Sequence, residues 1–164
     1  VHADYAGGNS NARGATIYSL RENVANALQR SAKGDVSSAV LTKGEVESMK
    51  QASLGTDISA VKNILADLAG REVDATQERT SIFTRSVIEY MGASTELRAK
   101  PDQQAAFRVL KTAQFPSVLI ELAYVTNKQD AALLTSDAWR DKVSDSIMTA
   151  VENYFGNQIA RLPM

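Results

Sequence analysis

Hydrophobic residues follow a strand-like pattern in one early segment of the chain and a helix-like spacing in the next. The segment 15–20 is short, β-branched and aromatic, which predicts a half-buried strand. Val24 and Leu28, with neighbouring alanines on the same face, predict a helix over 21–33 that stops at Gly34. The first part of the chain is therefore typical of a strand followed by a helix.

The middle of the chain contains two apolar stripes with helical spacing. The first predicts a core-facing helix that can run on through Gly70, and its members are Ile58, Val61, Ile64, Leu65 and Leu68. The second ends at Gly92, a suitable C-terminal cap, and consists of Ile82, Phe83, Val87, Ile88 and Met91. Residues 35–55 predict a weaker helix, because glycines interrupt their apolar stripe.

Two strands are predicted after a polar connection. Residues 93–106 are polar and include Lys100-Pro101-Asp102, which indicates a surface connection. The segments 107–110 and 117–123 have strand character. The second is almost continuously apolar, as is typical of a strand covered on both faces.

A long helix follows these strands. It begins after a cap at Thr135 or Ser136 and ends near Gly156, with an apolar face of Trp139, Val143, Ile147, Val151 and Tyr154 or Phe155. Alternating strands and helices predict an α/β fold with helices on the faces of a sheet. Three strands make a thin sheet, and the chain opens at Val1 with a strand-like segment and no Met. We therefore expect N-terminal strands to be missing from it.

Composition limits the classes of protein to consider. A chain of 164 residues with 44% hydrophobic content predicts a single domain over 1–164. With 18 basic and 19 acidic residues, the net charge of -1 argues against binding to nucleic acid. No run approaches the roughly 18 apolar residues that membrane insertion requires. Since the sequence has no cysteine, any zinc site would depend on histidine and carboxylate ligands.

Glu121 and His2 are the residues with candidate chemistry. Glu121 interrupts an apolar run, although ionised carboxylates are seldom buried. It is either an exposed or arginine-paired glutamate at the mouth of the strand, or a general base at the C-terminal end of a sheet strand. His2 is the sole histidine and is either a solvated side chain or a metal ligand. One imidazole cannot hold zinc, because catalytic sites use about three protein ligands.

Four blocks of the sequence carry distinctive motifs, at 1–4, 12–18, 107–111 and 116–127. The most specific block reads Pro-Ser-x-Leu-x-Glu-x-Ala-aromatic-x-x-Asn and contains Glu121. In order and spacing, these blocks resemble landmarks of the bacterial amidase_3 family, the zinc-dependent N-acetylmuramoyl-L-alanine amidases of the cell-division type. The likeness extends into the last helix, at 133–136 and Trp139.

This resemblance implies the C-terminal part of a catalytic domain with an α/β fold, a mixed twisted sheet flanked by helices of the phosphorylase/hydrolase-like kind. It implies Zn²⁺ as the cofactor, held by two histidines and a glutamate, with a further glutamate as catalytic base. His2 matches the last zinc-binding histidine, and Glu121 matches the catalytic glutamate. The reaction implied is hydrolysis of the amide between N-acetylmuramic acid and L-alanine in peptidoglycan by a zinc-activated water. The family's other two zinc ligands are absent from this sequence, so we expect the chain alone to be inactive.

Cell-division amidases resemble one another in their control as well. The resemblance implies a periplasmic or cell-envelope location, a role in septal cell-wall splitting and a LytM-type activator as partner. It also implies that 35–91 is a helical, autoinhibitory insertion. By its Leu-x-x-x-Glu spacing, Glu45 is the candidate inhibitory metal ligand and Glu47 is its rival.

Two other functions fit the same residues. One is a catalytically inert scaffold that binds peptidoglycan or an activator without cleaving. The other is an unrelated hydrolase, such as a glycosidase in which Glu121 works with a second carboxylate.

Overall fold

The computed structural model describes residues 1–39, 58–111 and 115–159. Its strands are β1 (His2–Asp4), β2 (Ala15–Leu20), β3 (Leu97–Ala105) and β4 (Leu119–Tyr124). Its helices are α1 (Glu22–Ala39), α2 (Ile58–Gly92), α3 (Lys128–Leu134) and α4 (Asp137–Ile159), with a 3-10 turn at Arg108–Leu110. The predicted α/β fold is confirmed.

The strands form a four-stranded mixed sheet in the order β1-β4-β2-β3. β1 runs parallel to β4, β4 runs antiparallel to β2, and β2 runs parallel to β3. The start of the chain is therefore hydrogen-bonded to a strand more than a hundred residues later. This topology places His2 beside Glu121.

One face of the sheet packs against α2 and α4. Ile17 on β2 and Ile120 on β4 lie opposite each other, and both are buried in the hydrophobic core. The two helices contribute Val87, Met91, Trp139, Val143 and Ala150 to the same core. Because successive side chains of a strand point to opposite faces, Thr16 and Glu121 lie on the face away from this core.

The strands at 15–20 and 117–123 were predicted correctly in kind and nearly in extent. β2 spans Ala15–Leu20, and β4 spans Leu119–Tyr124. All residues of β4 except the half-buried Leu122 are buried, so the prediction of a strand covered on both faces is confirmed.

The predicted surface connection over 93–106 was wrong, because most of it forms β3. In the described sheet β3 pairs only with β2, and the pairing is irregular between Ala15 and Ile17. Its side chains are mostly exposed or half-buried. A polar edge strand lacks the apolar alternation of an inner strand, and an edge position tolerates Pro101.

The predicted strand at 107–110 was also wrong, since a 3-10 turn occupies Arg108–Leu110. Leu110 is buried, whereas Val109 is 66% exposed. Four residues with a mixed apolar pattern do not distinguish a strand from a turn. Phe107, just before this turn, packs edge-on against Tyr18 with ring centroids 5.3 Å apart.

The helices are longer than their glycines suggested. α1 continues past Gly34 to Ala39, and α2 is one helix of 35 residues that passes through Gly70. At Gly70 a Cβ would meet the flexible end of the Lys33 side chain, which shows that α1 lies against α2 at this position. Gly70 and Gly34 are therefore tolerated inside helices held by tertiary contacts.

The stripe predicted to face the core at the start of α2 is largely exposed. Val61, Ile64 and Leu68 are 39%, 60% and 55% exposed in the described structure. In the second half of α2, by contrast, Val87 and Met91 are fully buried. The period predicted the helix correctly but did not predict which stretch the sheet covers.

The last helix begins as predicted and is preceded by a short helix that was not predicted. Of the two cap candidates, Ser136 accepts a hydrogen bond at its Oγ from the backbone N–H of Trp139 at 3.3 Å. α4 continues to Ile159, slightly past Gly156. The short helix α3 is capped by the Asn127 side chain, which accepts from two backbone N–H groups.

Glu45 and Glu47 lie outside the described residues, so their assignment as metal ligands stays a prediction, as does the autoinhibitory role of 35–91. None of the described helices combines the length and apolar character needed to cross a bilayer.

Candidate active site

His2 and Glu121 face each other across the β1–β4 pair. The two residues are in register, and His2 Nδ1 lies 3.5 Å from Glu121 Oε1. The His2 side chain is 62% exposed, whereas that of Glu121 is 8% exposed. The sequence-predicted pair therefore combines an accessible imidazole with a sheltered carboxylate.

The environment of Glu121 favours its protonated form more than water does. Burial raises the pKa of Glu121, and the negative charge of Asp4 raises it further, while His2 and the chain N-terminus act in the opposite direction. The interpretation as an exposed or arginine-paired glutamate was wrong, because Glu121 is buried and the side chain beside its Oε1 is that of His2. Glu121 also lies in the middle of β4 and not at its end.

One oxygen of Glu121 has no hydrogen-bond partner among the residues that the structure describes. Its Oε2 atom is buried and makes no hydrogen bond within the described part of the chain. The same is true of Oγ1 of Thr16, which lies opposite Glu121 on β2. Buried polar atoms normally have a hydrogen-bond partner, so this pair of atoms is suited to a polar ligand or to water.

Asp4 is fixed at the end of β1, close to this site. Its carbonyl accepts a hydrogen bond from the N–H of Val125 at 2.9 Å, which joins β1 to the end of β4. Its Oδ1 accepts from the N–H of Tyr5 at 2.7 Å. Asp4 thus supplies a negative charge that opposes the ionisation of Glu121.

A tyrosine pair and an arginine extend the site toward β3. Tyr18 and Tyr124 are joined by a side-chain hydrogen bond, and Arg98 Nη1 donates to the Tyr124 hydroxyl at 2.9 Å. Burial raises the pKa of Tyr18, as do Tyr124 and Asp4, against the effect of Arg98. Tyr18 is therefore protonated near neutral pH.

Asp130 holds together the strand ends that support the site. This buried carboxylate accepts hydrogen bonds at Oδ2 from the N–H groups of Gly14 and Tyr124, each at 2.9 Å. Gly14 has φ of +84°, and a Cβ there would come within 2.9 Å of the Leu97 backbone. The turn into β2, the end of β4 and the start of β3 are therefore packed as one unit.

The described residues bring together one accessible imidazole and one sheltered carboxylate. His2 is an accessible imidazole, and the unpartnered Oε2 of Glu121 is a suitable acceptor for a water beside it. However, the described residues contain no cluster of three histidine, cysteine, aspartate or glutamate side chains able to hold a metal ion. Since a catalytic zinc needs about three protein ligands, the described residues do not by themselves complete a zinc site.

Sequence reasoning found two members of this site and missed four. His2 and Glu121 are brought together as expected. Thr16 was hidden in a strand of ordinary composition, and Arg98 lay in the segment taken as a surface connection. The missed residues are Thr16, Tyr18, Arg98 and Tyr124.

A buried carboxylate and an imidazole on adjoining strands of a helix-flanked mixed sheet are typical of the site of an α/β enzyme domain. The family comparison makes that class specific. Residues 1–153 match the family Amidase_3, described as N-acetylmuramoyl-L-alanine amidase, and the chain belongs to this family.

Relatives with related sequences include two bacterial amidases. N-acetylmuramoyl-L-alanine amidase AmiC of Neisseria meningitidis serogroup B is 27% identical over 161 residues, which cover 98% of this chain and 36% of AmiC. N-acetylmuramoyl-L-alanine amidase AmiA of Escherichia coli is 40% identical over 60 residues, or 37% of this chain and 21% of AmiA. The chain thus spans about a third of the length of AmiC.

Among solved structures, the catalytic domain of CwlV is similar to this chain. It is an N-acetylmuramoyl-L-alanine amidase from Bacillus (Paenibacillus) polymyxa var. colistinus, with a TM-score of 0.49 and 15% identity. The alignment covers 94% of this chain and 54% of that chain.

Proposed function

We propose that this chain carries the catalytic glutamate of an N-acetylmuramoyl-L-alanine amidase, which hydrolyses the amide between N-acetylmuramic acid and L-alanine in peptidoglycan. The observation that carries the proposal is the contact of 3.5 Å between His2 and the buried Glu121, in a chain of the amidase family. A general base for such a reaction must be sheltered, oriented and within reach of a water, and Glu121 meets the first two conditions.

In this proposal Glu121 moves the proton. Its ionised carboxylate takes a proton from the attacking water at Oε2, the oxygen without a protein partner. The same oxygen then returns the proton to the amine that leaves with the peptide. The raised pKa of Glu121 suits both steps, because it brings the carboxyl group closer to the pKa range of an acid and a base that act near neutrality.

His2 is proposed as one zinc ligand. Its ring is accessible to a metal and is held near Glu121 by the β1–β4 register. The chemistry that zinc supplies when bound is Lewis-acid activation of water and of the amide carbonyl. The remaining ligands are not provided by the sequence, which has one histidine, so the chain alone is proposed to be inactive.

The test is Glu121→Gln in the complete natural protein. Gln keeps the size of the side chain and removes its basicity, so release of peptide from purified peptidoglycan should fall at least about a hundredfold. Zinc content should not change, because Glu121 is proposed as the base and not as a ligand. Peptide release and metal content are measured on the same preparation.

The matched control is Glu89→Gln, since Glu89 is an exposed glutamate on α2. It should release peptide at the parent rate. A Glu121→Gln protein that cleaves at the parent rate would remove Glu121 from the mechanism. Loss of zinc on this substitution would instead make Glu121 a ligand.

The location and control of the enzyme form a separate part of the proposal. We propose a periplasmic or cell-envelope enzyme of septal wall splitting, switched by a LytM-type activator that acts on residues 35–91. Membership of the amidase family supports the peptidoglycan substrate. Glu45 is retained in this proposal as the inhibitory zinc ligand.

A further inference from the structure

Arg98 lies on the same face of the sheet as Glu121, two strands away. Leu97, its neighbour on β3, pairs with Ala15 and packs against the hydrophobic core on the helix-covered face. Alternation along the strand therefore directs Arg98 to the opposite face, where it contacts the Tyr124 hydroxyl. His2, Glu121 and Thr16 thus form one transverse row across β1, β4 and β2, and Arg98 lies on the neighbouring edge strand β3.

The Arg98 guanidinium is held in place although the residue is exposed. Nη1 donates to the Tyr124 hydroxyl at 2.9 Å, and the guanidinium carbon lies 5.5 Å from the centre of the Tyr124 ring. Tyr124 itself is 3% exposed and is bonded to Tyr18. Such a position restricts a long side chain that would otherwise keep its rotamer freedom.

No carboxylate among the described residues forms an ion pair with this arginine. Four other arginines do have such a partner, in the pairs Arg13–Glu96, Arg71–Asp67, Arg79–Glu72 and Arg140–Asp137. Arg98 uses one N–H group on Tyr124 and leaves the rest of its planar fork free. That fork matches the geometry of a carboxylate, which it can bind with two parallel hydrogen bonds.

The spacing of the strands sets the distance between the two groups. Two steps across a sheet amount to roughly 10 Å, and an extended peptide advances about 3.3 Å per residue. We consider a peptide that lies across the strands with its first amide at Glu121. A carboxylate up to about three residues along the peptide from that amide would then reach Arg98.

We propose that Arg98 is a specificity-determining residue that binds a carboxylate on the peptide part of the substrate. This inference rests on the proposed amidase function, because it takes the scissile amide to lie at Glu121. Tyr124 acts as a positioning residue that fixes the guanidinium. The site selects peptides that carry a free carboxylate near the amide and disfavours peptides in which that group is amidated.

The test measures binding in the complete natural protein with Glu121→Gln as the background, so that the probe is not cleaved. Two fluorescent muramoyl peptides serve as probes, one with free carboxylates and one with the same carboxylates amidated. Arg98→Gln should weaken binding of the carboxylate probe about tenfold, the loss expected for a charge-assisted hydrogen bond. It should leave binding of the amidated probe unchanged.

Two further variants separate recognition from a structural effect. Arg85→Gln removes an exposed arginine on α2 and should not change the affinity for either probe. Arg98→Lys keeps the charge without the planar fork and should recover part of the loss. All variants are checked for unchanged circular dichroism.

Three results would overturn the assignment of Arg98. They are equal affinity of Arg98→Gln and its parent for the carboxylate probe, equal loss for both probes, and no measurable binding of the carboxylate probe to the parent. The proposed function is tested separately by peptide release with Glu121 intact. Carboxylate-dependent binding without release would refute the amidase reaction and leave the Arg98 site in place.

Discussion

At the scale of single residues, the burial of Glu121 has opposite consequences for chemistry and for stability. The carboxylate is sheltered, and its buried Oε2 has no hydrogen-bond partner within the described ranges, which suits it to a bound water. The same burial disfavours the ionised form and so raises its pKa. The folded protein therefore binds a proton at Glu121 more tightly than the unfolded chain does.

This difference predicts how stability depends on pH. Between the ordinary pKa of 4.5 and the raised value, the folded state holds more protons at Glu121 than the unfolded state. The contribution of Glu121 to the free energy of unfolding therefore decreases as the pH rises through this window. Glu121→Gln removes the effect. The free energy of unfolding of the variant minus that of the parent should therefore be larger at about pH 8 than at about pH 4.

Urea unfolding of parent and variant at both pH values measures this difference. Glu89→Gln is again the control, since an exposed glutamate should show no such gain. If the stability difference between Glu121→Gln and the parent were the same at both pH values, the raised pKa would be refuted.

At the scale of elements, α2 shows what hydrophobic periodicity can and cannot predict. Its apolar spacing predicted helical structure on both sides of Gly70 correctly. It also predicted a core-facing stripe near Ile64, which is 60% exposed, while Met91 near the other end is fully buried. The apolar spacing shows that the segment is helical. How far the sheet extends decides which turns of the helix are buried against it.

The two ends of α2 should therefore respond differently to truncation. Met91→Ala removes side-chain volume from the closed core and should lower the free energy of unfolding by about 2–5 kcal/mol. Ile64→Ala removes mostly exposed surface and should cost less than about 1 kcal/mol. Chemical denaturation measures both, and equal losses would show that another part of the protein covers Ile64.

The strands show a similar limit of sequence reasoning. β2 and β4 lie inside the described sheet, and their β-branched or continuously apolar residues predicted them well. β3 lies at an edge, where polar side chains and Pro101 are compatible with pairing on one side. Because β3 lacks an alternation of apolar and polar residues, the sequence did not predict this strand, and Arg98 on it was not recognised as a site residue.

At the scale of the whole molecule, the site exists only in the folded chain. His2, Thr16, Arg98 and Glu121 come from four strands that are widely separated in sequence. The pattern of residues marked Glu121 as unusual, but only the family resemblance linked it to His2. Thr16 joined them through strand register and Arg98 through its hydrogen bond to Tyr124, and a single sequence reveals neither.

The sole histidine offers a direct probe of this assembly. Its imidazole should give one resolved set of proton resonances, whose chemical shifts change on Glu121→Gln and stay the same on Glu89→Gln. On heating, the folded His2 signal should disappear at the midpoint seen by circular dichroism. Loss of the signal well below that midpoint would mean that β1 detaches before the sheet unfolds.

The transverse row of His2, Glu121 and Thr16 across three strands also limits which insertions and deletions the protein can accept. Adding or removing one residue within a strand reverses the facing of every side chain beyond that point. A single deletion between Ala15 and Tyr18 would thus exchange an active-site side chain for a core one, even if overall hydrophobicity were preserved. Natural length variation should therefore be concentrated in the connections, with constant spacing inside the strands.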